Sequence, residues 1–167
     1  GRRVAIVEGC RTPFAKSGTD FKDLTSTDLG KMAVRELISR AELDVELIDH
    51  VVFGTVVQSV KEPNIAREVT LGSGIPPRVP AFTVGRACAS SNQAITSAAE
   101  QIALGMADVV IAGGAESLTD IPILFSPEMR NALVRASKAR SMGERLKAFA
   151  TIRPRNLAPV TPAIAEP

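Results

Sequence analysis

The chain has 167 residues, of which 45% are hydrophobic and 23% are charged, and its formal net charge is +2. This length suffices for one domain with a substantial core, and no apolar run approaches the roughly 18 residues of a membrane span. The lack of Trp and Tyr argues against an aromatic platform for single-stranded nucleic acid. The two cysteines, Cys10 and Cys88, lie in separate contexts without metal-ligand spacing, which favours reduced thiols.

Strand and helix signals alternate through the first 114 residues. Runs rich in Val and Ile predict strands at Arg3–Val7, His50–Val57, Ala81–Val84 and Asp108–Ala112. The first run is nearly continuous, as expected for a strand covered on both faces. Apolar spacing and capping residues predict helices from Ser26 or Thr27 to Ala41, from Asn64 to Leu71, and from the Cys88 turn to Leu104. This β-α-β-α-β-α-β order predicts an α/β fold with helices on a mixed, mostly parallel sheet.

The pattern changes after residue 120, so we predict one domain over residues 1–120 and the beginning of a second over residues 121–167. Ser126-Pro127 is typical of a helix start, and a short basic helix is predicted over residues 142–150. Residues 153–167 contain four prolines and are not expected to pack alone.

Charge is distributed unevenly along the chain. Residues 1–126 hold 12 Lys or Arg and 15 Asp or Glu, a net charge of −3, whereas residues 127–167 hold 8 and 3, a net charge of +5. The basic part indicates contact with something anionic, such as a phosphorylated cofactor, a lipid surface or an acidic partner. A solvated helical face is the alternative explanation.

The candidate nucleophile is Cys88. It lies in a small turn between the predicted strand Ala81–Val84 and the helix that follows, which is the arrangement of a nucleophile elbow. The bend holds the side chain clear of its own backbone, and the unpaired N–H groups at the helix N-terminus favour the thiolate over the thiol. The alternative is a small buried cysteine, because free Cys is among the most buried residue types.

Three other residues are weaker candidates. His50, the only histidine, is a possible base for Cys88, although its place at a strand start favours a surface position. Glu116 follows paired glycines, which indicate close backbone approach or positive φ; it is either an acid or base or a structural hydrogen-bonding partner. Cys10 is expected to pack in the core. With no phosphate-binding glycine loop and no dinucleotide fingerprint, the residues alone predict an activated cysteine without a complete catalytic set.

The segment Thr83–Ala94 resembles the nucleophile segment of thiolases. Four further stretches are similar to motifs of that family and follow in the same order: Arg11–Phe14, Phe53–Gln58, Asn64–Arg67 with Gly74–Pro76, and Ala112–Ser117. Two stretches, Gly54–Lys61 and Lys138–Leu146, are similar to the thiolase (β) subunit of trifunctional fatty-acid oxidation complexes. Five ordered motifs at compatible spacing make the resemblance specific.

The resemblance implies a 3-ketoacyl-CoA thiolase, which cleaves 3-ketoacyl-CoA with free CoA to acetyl-CoA and a shortened acyl-CoA in fatty-acid β-oxidation. Cys88 would carry the acyl group as a thioester until CoA takes it. No metal or bound cofactor is implied, only CoA and acyl-CoA as substrates, together with a homo-oligomer and an α subunit with hydratase and dehydrogenase activities. The basic segment 127–155 is a predicted contact with that α subunit or with an anionic membrane surface. Nucleic acid is not expected as a partner.

The resemblance covers essentially all of this chain but only the first half of a thiolase. The family's Gly-His-Pro, Asn-Glu-Ala-Phe and Cys-x-Gly-Gly-Gly motifs do not occur in the sequence. We therefore expect an N-terminal part that ends inside the loop domain and performs little or no thiolysis alone. No signal or transit peptide is visible, and the resemblance implies the bacterial cytoplasm or the mitochondrion. The alternatives are another acyl-CoA condensing enzyme (an acetoacetyl-CoA thiolase or a ketoacyl synthase) and an assembly or membrane-anchoring module.

Overall fold

The computed structural model of the chain describes residues 2–150 and 152–160. The chain divides into two compact units, Gly1–Ile121 and Pro122–Pro167. The first unit contains a sheet with helices, and the second is helical over its described residues.

The sheet of the first unit has three parallel strands: β1 (His50–Gly54), β2 (Ala81–Val84) and β3 (Val110–Gly114). The strand order is β2-β1-β3, so β1 is the central strand, and its residue Val52 pairs with Phe82 on one side and Ala112 on the other. Because each connection between these parallel strands carries a helix, the predicted α/β class is confirmed.

Three helices accompany the sheet: α1 (Ser26–Arg40), α2 (Ile65–Gly72) and α3 (Ser90–Ala103), with a short 3-10 turn at Val45–Leu47. The cap of α1 is Thr25, not Ser26 or Thr27 as the sequence predicted. Its hydroxyl accepts from Asp28 N while the Asp28 carboxylate accepts from Thr25 N, so the two residues form a capping box. The predicted cap of α2, Asn64, is confirmed.

The core lies on both faces of β1. Val51 and Phe53 pack in one cluster with Val69 of α2 and Val34 of α1. Val52, which is also fully buried, lies on the opposite face because successive strand residues alternate, and α3 packs there against β1 and β3. Coverage on both faces explains why this strand is continuously apolar.

Two glycines allow α3 to come close to the strand ends. A Cβ on Gly54, the last residue of β1, would lie 2.7 Å from both Ser90 O and Ser91 N, and a Cβ on Gly114, the last residue of β3, would meet the Ser91 hydroxyl. Neither Gly114 nor its neighbour Gly113 has a positive φ. The paired glycines of the sequence therefore serve close approach rather than a left-handed turn.

The predicted first strand, residues 3–7, is wrong. Ile6 and Val7 are 84% and 88% exposed, and the segment has no regular secondary structure. A strand needs a neighbour to pair its backbone N–H and C=O groups. Within the described residues this segment pairs with neither edge of the sheet, so the sheet has three strands instead of four. The apolar run predicted that these residues would be buried. Burial alone does not supply the partner strand that backbone pairing needs.

The second unit contains α4 (Pro127–Lys138), α5 (Met142–Phe149) and a 3-10 turn at Pro154–Leu157. The predicted start of α4 is confirmed, since the Ser126 side chain accepts from Met129 N and Pro127 opens the helix.

Of the proline-rich end predicted from the sequence, residues 161–167 lie outside the described part of the chain. Within the part described, no helix has both the length and the apolar character needed to cross a membrane.

We predict that Gly54→Ala destabilises the first unit by about 1–3 kcal/mol, because its methyl group would overlap main-chain atoms of α3 that cannot rotate away. Gly9→Ala is the matched control, since nothing lies within 4 Å of a Cβ at Gly9. Urea unfolding followed by circular dichroism measures both. Equal unfolding midpoints for the two variants would contradict the close packing of α3.

Candidate active site

Cys88 lies in a tight turn between β2 and the first residue of α3, Ser90. Two backbone hydrogen bonds close the turn, from Ala89 N to Arg86 O (3.0 Å) and from Ser90 N to Ala87 O (3.1 Å). Ala87 has φ 45°, in the left-handed region that costs an L-residue free energy. The strand, sharp turn and helix predicted from the sequence are therefore present, and we call residues 86–90 the elbow.

The thiol of Cys88 is exposed, so the alternative of a small buried cysteine is wrong. The N-cap residue of α3, Ala89, offers no side chain to the first N–H groups of the helix. The N-terminus of α3, which carries the positive end of the helix dipole and has no side-chain cap, therefore lies next to the exposed Cys88. This geometry suits a nucleophile, and the catalytic role of Cys88 stays a prediction.

Glu116 is a structural hydrogen-bonding partner. Its carboxylate accepts hydrogen bonds from Val56 N at 2.8 Å and from Val57 N at 3.2 Å. These bonds tie the segment that follows β1 to the segment that follows β3. Both oxygens are engaged with backbone N–H groups, which supports the structural role, one of the two that the sequence left open.

His50 does not meet Cys88. It is the first residue of β1 and pairs with Val110, the first residue of β3, whereas Cys88 follows the last residue of the parallel strand β2. At ~3.3 Å per residue, the start and the end of β1 are about 13 Å apart, and His50 and Cys88 lie at opposite ends of that length. The imidazole instead packs edge-on against Phe82, with ring centroids 5.3 Å apart. The possible Cys88–His50 pair is therefore wrong.

Cys10 is half-buried and its Sγ donates a hydrogen bond to Ala33 O of α1 at 3.1 Å. Burial raises the pKa of the Cys10 thiol above its usual value, although the Arg40 guanidinium acts in the opposite direction. The side chain borders a cavity of about 570 Å³ between the loop after Cys10, α1 and residues 111–119. The expected core position of Cys10 is thus confirmed in part.

Ser90 is a residue of the site that the sequence pattern did not single out. Its side chain is buried and bonds to the backbone of two residues of the elbow, Arg86 and Ala87. A signal for it existed, because serine near a helix start commonly bonds to backbone groups three or four residues earlier. The left-handed backbone of Ala87 had no such signal, since alanine is not a residue that favours this region.

The family model of the thiolase N-terminal domain matches residues 4–152. The chain belongs to the thiolase family. It is 49% identical over 166 residues to a 3-ketoacyl-CoA thiolase of Yersinia pestis (strain Pestoides F), an alignment that covers 99% of this chain and 38% of that relative. The chain therefore spans well under half the length of the curated relatives it matches.

Two solved structures of thiolase type share the fold. An acetyl-CoA acetyltransferase from Bacillus anthracis superposes with a TM-score of 0.70 and 35% identity, covering 72% of this chain and 31% of its own. A thiolase from Ascaris suum in complex with coenzyme A also has a TM-score of 0.70, with 30% identity, covering 72% of this chain and 32% of its own.

Three of the thiolase motifs of the sequence contain the end of a strand. Thr83–Ala94 contains the end of β2 and the elbow, and Phe53–Gln58 contains the end of β1 and the amides bound by Glu116. Arg11–Phe14 and Ala112–Ser117 both border the cavity beside Cys10. Ligand sites of parallel sheets favour this edge, so the motifs that indicated the family also mark one region of the first unit.

We predict that iodoacetamide alkylates Cys88 at least about tenfold faster than Cys10 near pH 8, because Cys88 is exposed and burial keeps Cys10 protonated. Since the pKa of Cys10 is raised, alkylation of Cys10 should accelerate as the pH rises through that pKa. The ratio of the Cys88 rate to the Cys10 rate should then become smaller. Peptide mapping by mass spectrometry gives both rates, with Cys10→Ser and Cys88→Ser chains as controls. Equal rates near pH 8 would count against a presented Cys88.

Proposed function

We propose that Cys88 is the acyl-accepting nucleophile of a 3-ketoacyl-CoA thiolase that acts in fatty-acid β-oxidation. The observation that carries the proposal is the exposed thiol at the turn before α3. The 49% identity to a 3-ketoacyl-CoA thiolase supports the reaction class, and the coenzyme A complex of the Ascaris suum thiolase supports CoA thioesters as substrates. The proposal requires no metal and no bound cofactor.

In this proposal the Cys88 thiolate attacks the C3 carbonyl of a 3-ketoacyl-CoA. The C2–C3 bond then breaks, and its electron pair stays on C2, which takes up a proton to become acetyl-CoA. The shortened acyl group remains on the cysteine as a thioester. The thiolate of a second CoA attacks that thioester and releases the Cys88 thiolate, so two easier steps replace one difficult step.

Carbon–carbon cleavage needs a proton donor for C2 and a base for CoA. The one histidine of the sequence, His50, lies at the far edge of the sheet, and Glu116 is occupied with backbone N–H groups. Acetyl exchange from acetyl-CoA to a cysteine breaks no carbon–carbon bond and needs no proton on carbon. The 167-residue chain is therefore expected to perform the exchange without performing thiolysis.

We predict that acetyl-CoA transfers its acetyl group to Cys88 in this chain, whereas acetoacetyl-CoA plus CoA is not cleaved at a measurable rate. Intact-mass and peptide-mapping mass spectrometry locate the acetyl thioester, and loss of the enolate absorbance of acetoacetyl-CoA measures thiolysis. Cys10→Ser should retain the acetylation and Cys88→Ser should abolish it. Acetylation confined to Cys10, or robust thiolysis by the chain alone, would refute the proposal.

A second role is proposed for the second unit, contact with an anionic membrane surface. The basic residues of segment 127–155 that we assign to this contact are exposed: Arg130, Arg135, Lys138, Arg140, Arg145 and Lys147. Met142 and Leu146 of α5 are also exposed, at 70% and 69%. None of residues 122–150 and 152–160 forms a salt bridge, so the structure leaves these cations available within the part described. Cations beside exposed apolar side chains favour an interfacial helix.

We predict that the chain floats with vesicles containing phosphatidylserine and that about 0.5 M salt, which screens such charges, releases it. Arg145→Glu combined with Lys147→Glu should weaken flotation, and the matched control is Lys22→Glu with Lys61→Glu, two exposed cations of the first unit. Binding that is indifferent to anionic lipid would refute the membrane contact. The homo-oligomer, the α subunit and the bacterial or mitochondrial location stay predictions of the family resemblance.

A further inference from the structure

Ser90 connects α3 to the elbow that presents Cys88. Its side-chain oxygen accepts a hydrogen bond from Arg86 N at 2.8 Å and donates one to Ala87 O at 2.7 Å. The residue is only 4% exposed. The turn uses the one donor and one acceptor position of this buried hydroxyl, and burial keeps water from competing for these bonds.

Ala87 is the strained residue of the elbow. Its φ of 45° places it in the left-handed region, where the Cβ of an L-residue approaches a backbone oxygen too closely. Strain of this kind persists only where the surroundings hold the backbone in place. The hydroxyl of Ser90 contacts the residue before Ala87 and Ala87 itself, so it is placed to hold this conformation.

Ser90 is a rigid support for the turn because its own main chain is fixed by the sheet. A Cβ on Gly54 would lie 2.7 Å from Ser90 O, so the first turn of α3 rests directly against the end of β1. The hydrogen bonds of the Ser90 hydroxyl to Arg86 and Ala87 therefore fix the elbow relative to the end of β1. Cys88 lies between Ala87 and Ser90 in the chain and takes its position from both.

We propose that Ser90 is a positioning residue, whose hydroxyl holds Ala87 in the left-handed conformation that presents the thiol of Cys88. The functional value of this positioning rests on the proposed role of Cys88 as acyl acceptor. The structural statement is independent of that role, because it concerns only the hydrogen bonds and the backbone of residues 86–90.

The test compares Ser90→Ala, Ala87→Gly and the double variant. Native-state amide exchange is read at positions 89 and 90, whose N–H groups bond to backbone oxygens rather than to the serine hydroxyl. Ser90→Ala should lower protection at both amides about five- to thirtyfold, the equivalent of the left-handed strain at one residue. Glycine at position 87 adopts this φ without strain. Amide protection in the double variant should therefore lie within about twofold of that in Ala87→Gly.

Ser73→Ala is the matched control. The Ser73 hydroxyl is buried and has no hydrogen-bond partner within the described residues, so its removal should leave exchange at positions 89 and 90 unchanged. A rescue by glycine at position 87 is specific to strain in the elbow, because a general loss of packing at position 90 would not respond to it.

The rate of acetyl transfer from acetyl-CoA to Cys88 is the second measurement. It should fall in Ser90→Ala and recover in the double variant in parallel with amide protection. If the chain with no substitution shows no acetyl transfer, the proposed acyl-acceptor role fails while the exchange data still decide the role of Ser90. If transfer is normal and the exchange rates at positions 89 and 90 do not change in Ser90→Ala, the positioning role fails alone.

Two further outcomes are decisive for the positioning role. If Ser90→Ala is unfolded and the double variant is folded, relief of strain at Ala87 has restored the chain, which supports the proposal. If both are unfolded, or if glycine at position 87 restores no protection, Ser90 stabilises the unit through packing and the proposal is overturned.

Discussion

The contact between the first turn of α3 and the glycine ends of the sheet is the constraint on which the site depends. Gly54 and Gly114 end neighbouring parallel strands, and a side chain on either would overlap atoms of Ser90 or Ser91. This contact fixes where α3 begins relative to β1. The elbow, with its tight turn and its left-handed Ala87, joins the end of β2 to that fixed point.

Two candidate reactive groups of the first unit, the thiol of Cys88 and the imidazole of His50, lie at opposite ends of the parallel strands. The elbow presents the exposed Cys88 where the strands end, while the imidazole of His50 lies where they begin. Glu116 is at the correct edge, but its oxygens are bound to backbone N–H groups. In the proposed function, attack on a thioester is expected of the first unit, whereas proton transfer to carbon needs groups that the described residues do not place beside Cys88.

Much of the site was predictable because its signals are local. The elbow, the cap Asn64 and the Ser126-Pro127 helix start each depend on a few adjacent residues, and the structure has all three. The strand predicted over residues 3–7 failed because pairing depends on a partner distant in sequence. The φ of Ala87 was not predictable, since alanine does not favour the left-handed region.

In the proposed function, the fold rather than the local sequence makes Cys88 an acyl acceptor. The most direct measurement is the second-order rate of acetyl transfer from acetyl-CoA to Cys88 in the folded chain, compared with a synthetic peptide of residues 83–94 under the same conditions. Preorganisation predicts a rate at least about tenfold higher in the folded chain. Equal rates in the folded chain and the peptide would contradict the account.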